Sequence, residues 1–543
     1  MPSLFPNKKR ALFSLSWTRI IIALSAYYAF ILNYPLLVHF YGLAIDSGML
    51  FALSGGFVLM CAFIIIFTML SIPYLFKPFM IFLTLASSFA LYGAAKYNAI
   101  YDYDMMVNIF ETNSTEAFSY LSLSLIVFVF FTGLLPALFL FFVNIKPSKS
   151  ISKALLNRSM LLIFAVLFLA GIYAMYYKSY AAVGRNNSYL NKMINPAHFY
   201  YTLKYIKKKY FTKKLHYLTL GKDAKLLAST NKKPTLMVLV LGETARAQNS
   251  SYNGYKRDTN PYTKNLGIIA LQDVATCGTA TAVSVPCMFS NMPRKKYKHE
   301  RANAQDNVLD ILKHAGVDIL WKDHDGGDKG VAKHLNPIHI PMHDDPKSCK
   351  DNACYDTFLL KDLDTFITSN HKNKLIALHI AGSHGPTYWL RYPKEMEHFK
   401  PSCNRSDIDK CTDEALVNVY DNTLVYTDYF LSKTIALLEK YSDSYNVALM
   451  YLSDHGESLG ENGFYLHGSP YFVAPIYQRR VPWYLWMSKE YAKAKGIDQT
   501  CLEKKAKEGN YSHDNFFHTL LGYYGVETKQ RDKNLDIIDS CRL

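Results

Sequence analysis

Glu243, Asp454 and His455 supply two carboxylates and an imidazole. Hard oxygens plus one nitrogen suit Zn²⁺ or Mn²⁺. Glu243 closes the apolar run "TLMVLVLGE", and Asp454 and His455 close "NVALMYLSDHGE". Two further runs also end in polar groups. "GVDILWKDHD" carries Lys322, Asp323 and His324, and "KLIALHIAGSHG" carries His379 and His384. His467 adds another imidazole. The bland alternative is a salt-bridged carboxylate beside a capped histidine, because a lone histidine is more often a satisfied core or surface residue.

Residues 276–287, "TCGTATAVSVPC", hold four hydroxyls, three of them between Cys277 and Cys287. A threonine proton is held too tightly for nucleophilic attack at neutral pH. A divalent cation removes that obstacle, as it does for water, whose pKa falls to about 7 on zinc. Thr276, Thr279, Thr281 and Ser284 are all candidates, and spacing does not choose among them. A disulfide around the loop would pre-organise it. Residues 456–460, "GESLG", match the nucleophile elbow of α/β-hydrolases. That elbow needs Ser458 straight after a strand, whereas "DHGE" intervenes.

These residues require a scaffold that gathers strand ends. The last 310 or so residues alternate strand-like and helical patterns, as in a mainly parallel sheet flanked by helices. In such an open α/β sheet, ligands collect beyond the carboxyl ends of the strands. Helical patterns lie around Asn307–Gly316, Asp356–Asn370 and Glu414–Tyr441.

The first third of the 543 residues is different. Five stretches can cross a hydrocarbon layer, which takes about 20 apolar residues: Trp17–Phe40, Ser47–Ile72, Pro78–Tyr97, Tyr120–Asn144 and Arg158–Tyr177. Lys and Arg concentrate before the first span and between the second and third and the fourth and fifth, with Lys96 the exception. The positive-inside rule then puts the N-terminus in the cytoplasm and everything after the fifth span on the far side. Of nine cysteines only Cys61 lies in a span. The other eight, Cys277, Cys287, Cys349, Cys354, Cys403, Cys411, Cys501 and Cys541, fall in the exported part and suit disulfides there. Nearest neighbours are expected to pair. The net charge of +16 fits an anionic lipid surface, and no nucleic-acid motif appears. Residues 1–178 are read as a transmembrane domain, 179–233 as a basic, aromatic linker at the lipid interface, and 234–543 as the exported catalytic domain.

"GETARAQNSSYNGY", "CGTATAVSVPCMFS", "SHGPTYWLRYP" and "SDHGESLGENGFYLHG" closely resemble the phosphoethanolamine transferases that modify lipid A, including the mobile colistin-resistance enzymes. The resemblance spans essentially the whole chain. It implies an alkaline-phosphatase/sulfatase-like domain in the periplasm, anchored in the bacterial inner membrane. It implies that Glu243, Thr281, Asp454 and His455 bind a catalytic zinc and that Thr281 is the nucleophile. It implies that His384 and His467 bind substrate phosphate or a second zinc, with Lys329 beside the substrate. The family usually has a serine where this chain has Gly326, and some members have a cysteine pair where Asp328 and Ala332 stand here. In "NIFETNSTE", Asn108, Thr112 and Glu116 are spaced along one helical face. The matching family residues hold a lipid headgroup.

The implied reaction takes phosphoethanolamine from phosphatidylethanolamine, parks it on Thr281 and passes it to a lipid A phosphate, giving polymyxin resistance. A monomer is expected. The rivals are a phosphoglycerol transferase of the same plan and a non-enzymatic metal-binding membrane sensor. A sulfatase would need C-x-P-x-R or S-x-P-x-R, which the sequence lacks.

Overall fold

The structure, a computed structural model, describes residues 13–112, 117–118, 120–148, 150–213, 215–227, 230–323, 326–340, 349–350 and 353–543. Glu116 and His324 lie outside the described residues. The chain divides into two compact units, Met1–Met106 with Leu121–Phe211, and Val107–Tyr120 with Thr212–Leu543.

The first unit is helical. Its helices include α1 (Trp17–Leu32), α2 (Tyr34–Ser47), α3 (Met49–Met69), α4 (Phe76–Tyr97), α6 (Leu123–Phe142) and α7 (Ile151–Asn186). Helix α5 (Tyr103–Glu111) precedes α6 and runs into the second unit. Among the described residues, α3, α4, α6 and α7 are each long and apolar enough to cross a membrane. The first expected span falls on a broken helix, with α1 and α2 bent by 66°, and counted as one span this pair makes five. Pro35, in the first turn of α2, has no N–H to continue the ladder. Backbone groups freed at such a break must find partners inside the protein. Asn33 and Asn195, both buried, supply them. Asn33 Nδ2 donates to the carbonyls of Tyr28 (2.9 Å) and Asn195 (2.8 Å). Asn195 Nδ2 donates to the Leu32 carbonyl (3.1 Å), and its N–H to Asn33 Oδ1 (2.8 Å). Asn195, which lies in the stretch read from the sequence as a linker at the lipid interface, thus serves the core of this unit. Helix α8 (Ala197–Ile206) follows, with Tyr200 and Leu203 exposed.

The second unit is built on an eight-stranded sheet. In chain order the strands are β1 (Thr235–Gly242), β2 (Ile269–Ala275), β3 (Asp318–Asp323), β4 (Ile338–His339), β5 (Lys374–His379), β6 (Asn446–Ser453), β7 (Arg480–Met487) and β8 (Tyr511–Ser512). Strands β1, β5 and β6 are buried along their whole length. Being covered on both faces, they read as continuous apolar runs rather than alternating ones. Parallel pairing joins β6, β1, β5, β3 and β4 in that order. The sheet is mixed, however, because β7 runs antiparallel to both β6 and β2. No long crossover helix separates β6 from β7, and a single helical turn, Ile476–Arg479, leads into β7. The intervening segment stays at the carboxyl end and forms a small hairpin, Ser458–Leu459 with Tyr465–Leu466, so the chain re-enters the sheet in the opposite direction.

Candidate active site

The register of the parallel block assembles the site. Ser453 pairs with Gly242, so Glu243 and Asp454 are each one residue beyond the same rung. His379 pairs with Leu241 on the other side of β1. Glu243, Asp454, His455 and His379 are fully buried. Thr281 opens helix α9 (Thr281–Met288), whose N-terminus follows β2.

The Thr281 hydroxyl lies 3.2 and 3.1 Å from the two Glu243 oxygens and 3.3 Å from His455 Nε2. His455 Nε2 is 3.3 Å from Glu243 Oε1 and 3.3 Å from Asp454 Oδ2. His379 Nε2 stands 3.8 Å from Glu243 Oε2. The other loop hydroxyls are placed elsewhere. Thr279 donates to the Ser469 carbonyl and Ser284 to the Asp454 carbonyl. Thr276 Oγ1 makes no hydrogen bond among the described residues. A Cys277–Cys287 disulfide closes this loop.

The electrostatics call for a cation. Burial pushes the Asp454 carboxyl up, and the neighbouring Glu243 charge pushes it further, to about 7. Burial works against a charged His455, yet Asp454 and Glu243 draw it up to about 10. Glu243 is also penalised by burial but is held well below its ordinary value by His455 and His379. Asp454 Oδ2 is buried and makes no hydrogen bond among the described residues. Two carboxylates and an imidazole, with ligand atoms all within 4.8 Å of one another, can hold a metal ion.

Three of the candidate residues or their chain neighbours carry strained backbone. Thr244, directly after Glu243, has φ 52°, a left-handed conformation that is costly for a β-branched residue. Lys329 (φ 47°) and Leu466 (φ 61°), which precedes His467, share it. Gly382 also has positive φ, and a Cβ there would meet the Glu243 carbonyl at 2.8 Å.

His467 lies against His455, the ring centroids 4.5 Å apart and the planes tilted by 40°, and the His384 ring centroid lies 5.4 Å from that of His467. His384 Nδ1 is 3.3 Å from Arg391 Nη2. Lys329 turns its ammonium to the Gly326 carbonyl, 3.1 Å away. Asp328 occupies the missing staple's place and accepts the N–H groups of Gly330 (3.2 Å) and Ala332 (2.8 Å). Thr112 donates back to the Asn108 carbonyl at 2.8 Å. Ser458 sits within the small hairpin, bonded by Gln478 Nε2, and not at a strand-to-helix elbow. Disulfides also join Cys403 to Cys411 and Cys501 to Cys541. Cys349 and Cys354 stand opposite each other in a two-strand ladder.

Sequence reasoning missed two supporting residues. Glu457, fully buried, lies 3.0 Å from His467 Nδ1 and accepts the Tyr388 hydroxyl at 2.8 Å. Its place two residues beyond His455 was the available signal. His513 Nδ1 accepts the Cys277 N–H (3.1 Å), while its Nε2 meets the Ser453 carbonyl (3.0 Å). Burial pushes this imidazole down to about 3, so it stays neutral and ties the hydroxyl loop to the end of β6. Nothing in its sequence surroundings marks it.

Comparisons with known proteins follow the same division. Residues 235–526 match the family described as Sulfatase, and residues 59–210 match Phosphoethanolamine transferase EptA/EptB. Over 480 residues the chain is 41% identical to phosphoethanolamine transferase EptA of Escherichia coli (strain K12), covering 88% of each. It is 36% identical over 492 residues to phosphatidylethanolamine transferase Mcr-1 from Escherichia coli, again 88% of each. Its fold is similar to the integral membrane protein lipooligosaccharide phosphoethanolamine transferase A (EptA) from Neisseria meningitidis. The TM-score is 0.94 at 34% identity, covering 98% of this chain and 99% of that one.

Proposed function

The chain belongs to the phosphoethanolamine transferases, and from that premise we propose that it moves phosphoethanolamine from phosphatidylethanolamine to a lipid A phosphate through an ester on Thr281. The observation that carries this reading is the Thr281 hydroxyl, aimed at both Glu243 oxygens and at His455 Nε2. Glu243, Thr281, Asp454 and His455 would hold Zn²⁺. Neighbouring ligand atoms among them lie 3.1 to 3.3 Å apart, close enough to share one ion. Bound there, the ion would lower the pKa of the hydroxyl and stabilise charge on phosphoryl oxygens.

The chain's own residues do the rest. Thr281 stands at the first turn of α9, where the helix field favours an anion. In the first half-reaction its Oγ1 bonds to phosphorus. The bond from phosphorus to the glycerol oxygen breaks, and diacylglycerol leaves with a proton. In the second, an oxygen of the lipid A phosphate bonds to the same phosphorus, the bond to Thr281 breaks, and the threonine recovers its proton. His467, with Nδ1 toward Glu457, presents Nε2 as a proton carrier and phosphate ligand, assisted by His384 and Lys329. Asn108, Thr112 and Glu116 hold the donor headgroup. The helical unit sits in the bacterial inner membrane, the sheet domain works in the periplasm, and the stretch around α8 lies at the lipid surface. The added ethanolammonium lowers the negative charge of the outer surface and weakens polymyxin binding.

The test expresses wild type and Thr281→Ala in a bacterium lacking such enzymes and compares lipid A by mass spectrometry. Wild type adds one phosphoethanolamine and the variant adds none. Unmodified lipid A in both rejects the acceptor, and a glycerol-phosphate addition identifies the phosphoglycerol transferase.

A further inference from the structure

Two arginines beside the hydroxyl loop share one tyrosine ring. Arg294 Cζ lies 4.0 Å, and Arg479 Cζ 5.6 Å, from the centre of the Tyr471 ring. Among the described residues neither guanidinium has a carboxylate in ion-pair reach, and Arg479 Nε is buried without a hydrogen bond. The adjacent Arg480, by contrast, pairs with Asp273.

All three residues are tied to the loop that carries Thr281. The Arg479 carbonyl accepts the Thr276 N–H at 3.0 Å. Tyr471 follows Gly468, whose N–H donates to the Thr279 carbonyl at 2.6 Å. The Arg294 N–H donates to Asp514 at 2.7 Å, and the preceding His513 accepts the Cys277 N–H. Lys295, Lys296 and Lys298 are exposed beside Arg294 and add to the positive field.

Two guanidiniums share one ring, and among the described residues neither is ion-paired through its side chain. Stacking on tyrosine offsets part of the repulsion, and the planar forks remain available for bidentate bonds to phosphate. The substrates differ in charge. A donor phosphodiester carries one negative charge, whereas a phosphomonoester carries about −1.5 to −2 at neutral pH. Two cations match the second.

We propose that Arg294 and Arg479, clamped on Tyr471, bind the phosphomonoester of the acceptor as it approaches Thr281. This rests on the transferase reading above and adds the group that selects the acceptor over the donor.

The test uses the full-length protein in detergent, as wild type, Arg294→Gln, Arg479→Gln, the double variant and the surface control Lys507→Gln, an exposed lysine with no part in the clamp. Initial rates of transfer to lipid A are measured against acceptor and, separately, against donor concentration. Each rate is normalised by the burst of diacylglycerol released without acceptor, which counts folded, loadable enzyme. The acceptor KM rises roughly tenfold in each single variant and further in the double, as expected for lost charge-assisted bonds, and kcat falls by less. Inorganic phosphate, which offers the same dianion without acyl chains, inhibits wild type competitively with lipid A and the double variant at least tenfold more weakly. Glycerophosphoethanolamine, a phosphodiester probe, inhibits both alike. An unchanged acceptor KM in the double variant, or a donor KM that rises in step with it, overturns the proposal. A wild-type burst with no transfer to lipid A overturns the transferase reading, and this assignment falls with it.

Discussion

Two clusters in the sheet domain each combine two carboxylates with one imidazole and behave oppositely. Glu243, Asp454 and His455 form one; Asp306, Asp310 and His334 form the other. In both, the ligand atoms lie within 4.8 Å of one another. The second is saturated by the protein itself. Asp306 Oδ1 accepts the Tyr217 hydroxyl (2.7 Å), and Oδ2 accepts the Leu220 N–H (2.9 Å) and lies 3.1 Å from His314 Nε2. Asp310 Oδ2 caps helix α10 (Val308–His314) through the Asn307 N–H, and its Oδ1 lies 2.9 Å from His334 Nδ1. In the first cluster Asp454 Oδ2 has no hydrogen bond among the described residues, and the nearby hydroxyl is that of Thr281. Proximity of carboxylates and imidazoles is therefore a poor sign of a cation site. What separates the two is whether the chain has already satisfied the oxygens.

Asp454→Asn should lower transfer by roughly a thousandfold or more, the scale of removing one member of a catalytic unit. It should also strip bound metal, as measured by elemental mass spectrometry, whereas Asp310→Asn should retain both. Glu457→Gln comes next. It should reduce transfer by roughly 10–100-fold, as outer-sphere partners do, with metal content intact; loss of metal there would make Glu457 a ligand rather than a positioning residue.

Asp306→Asn should cost about 1–3 kcal/mol of stability in thermal unfolding and leave metal content unchanged. Burial raises the Asp306 pKa, but Tyr217, His314 and the Leu220 N–H outweigh it and hold the carboxyl below its ordinary value. A depressed folded pKa means its stabilisation is present above the unfolded value of about 3.9 and is lost as pH falls below it. The variant should lack that acid-limb loss. An Asp306→Asn protein with wild-type acid sensitivity would contradict the saturated-staple account. The smallest effect is expected at Asp328→Ala, about 1 kcal/mol, read as faster hydrogen exchange at Gly330 and Ala332.

Much of this site is written at strand ends. Continuous apolar runs ending in Glu243 and Asp454 announce central strands, and parallel register necessarily sets those ends side by side. The hydroxyl could not be chosen from spacing because Thr276, Thr279, Thr281 and Ser284 differ only in which way the loop turns them. Tertiary bonds to Ser469 and Asp454 decide it. The break between α1 and α2 was hidden for a similar reason. Hydropathy sums over Trp17–Phe40 without registering that Pro35 lacks a donor and that Asn195, 162 residues away from Asn33, restores the bonds. The antiparallel β7, the neutral His513 and the arginine pair on Tyr471 likewise depend on partners far off in the chain. A local pattern carries no trace of them.

The most direct measurement traps the enzyme with phosphatidylethanolamine in the absence of acceptor and maps the adduct by mass spectrometry of its peptides. The account predicts one phosphoethanolamine group on Thr281 in the wild type, discharged on adding lipid A, and none in Thr281→Ala. An adduct on another residue, or transfer that proceeds in Thr281→Ala with no adduct, would contradict it.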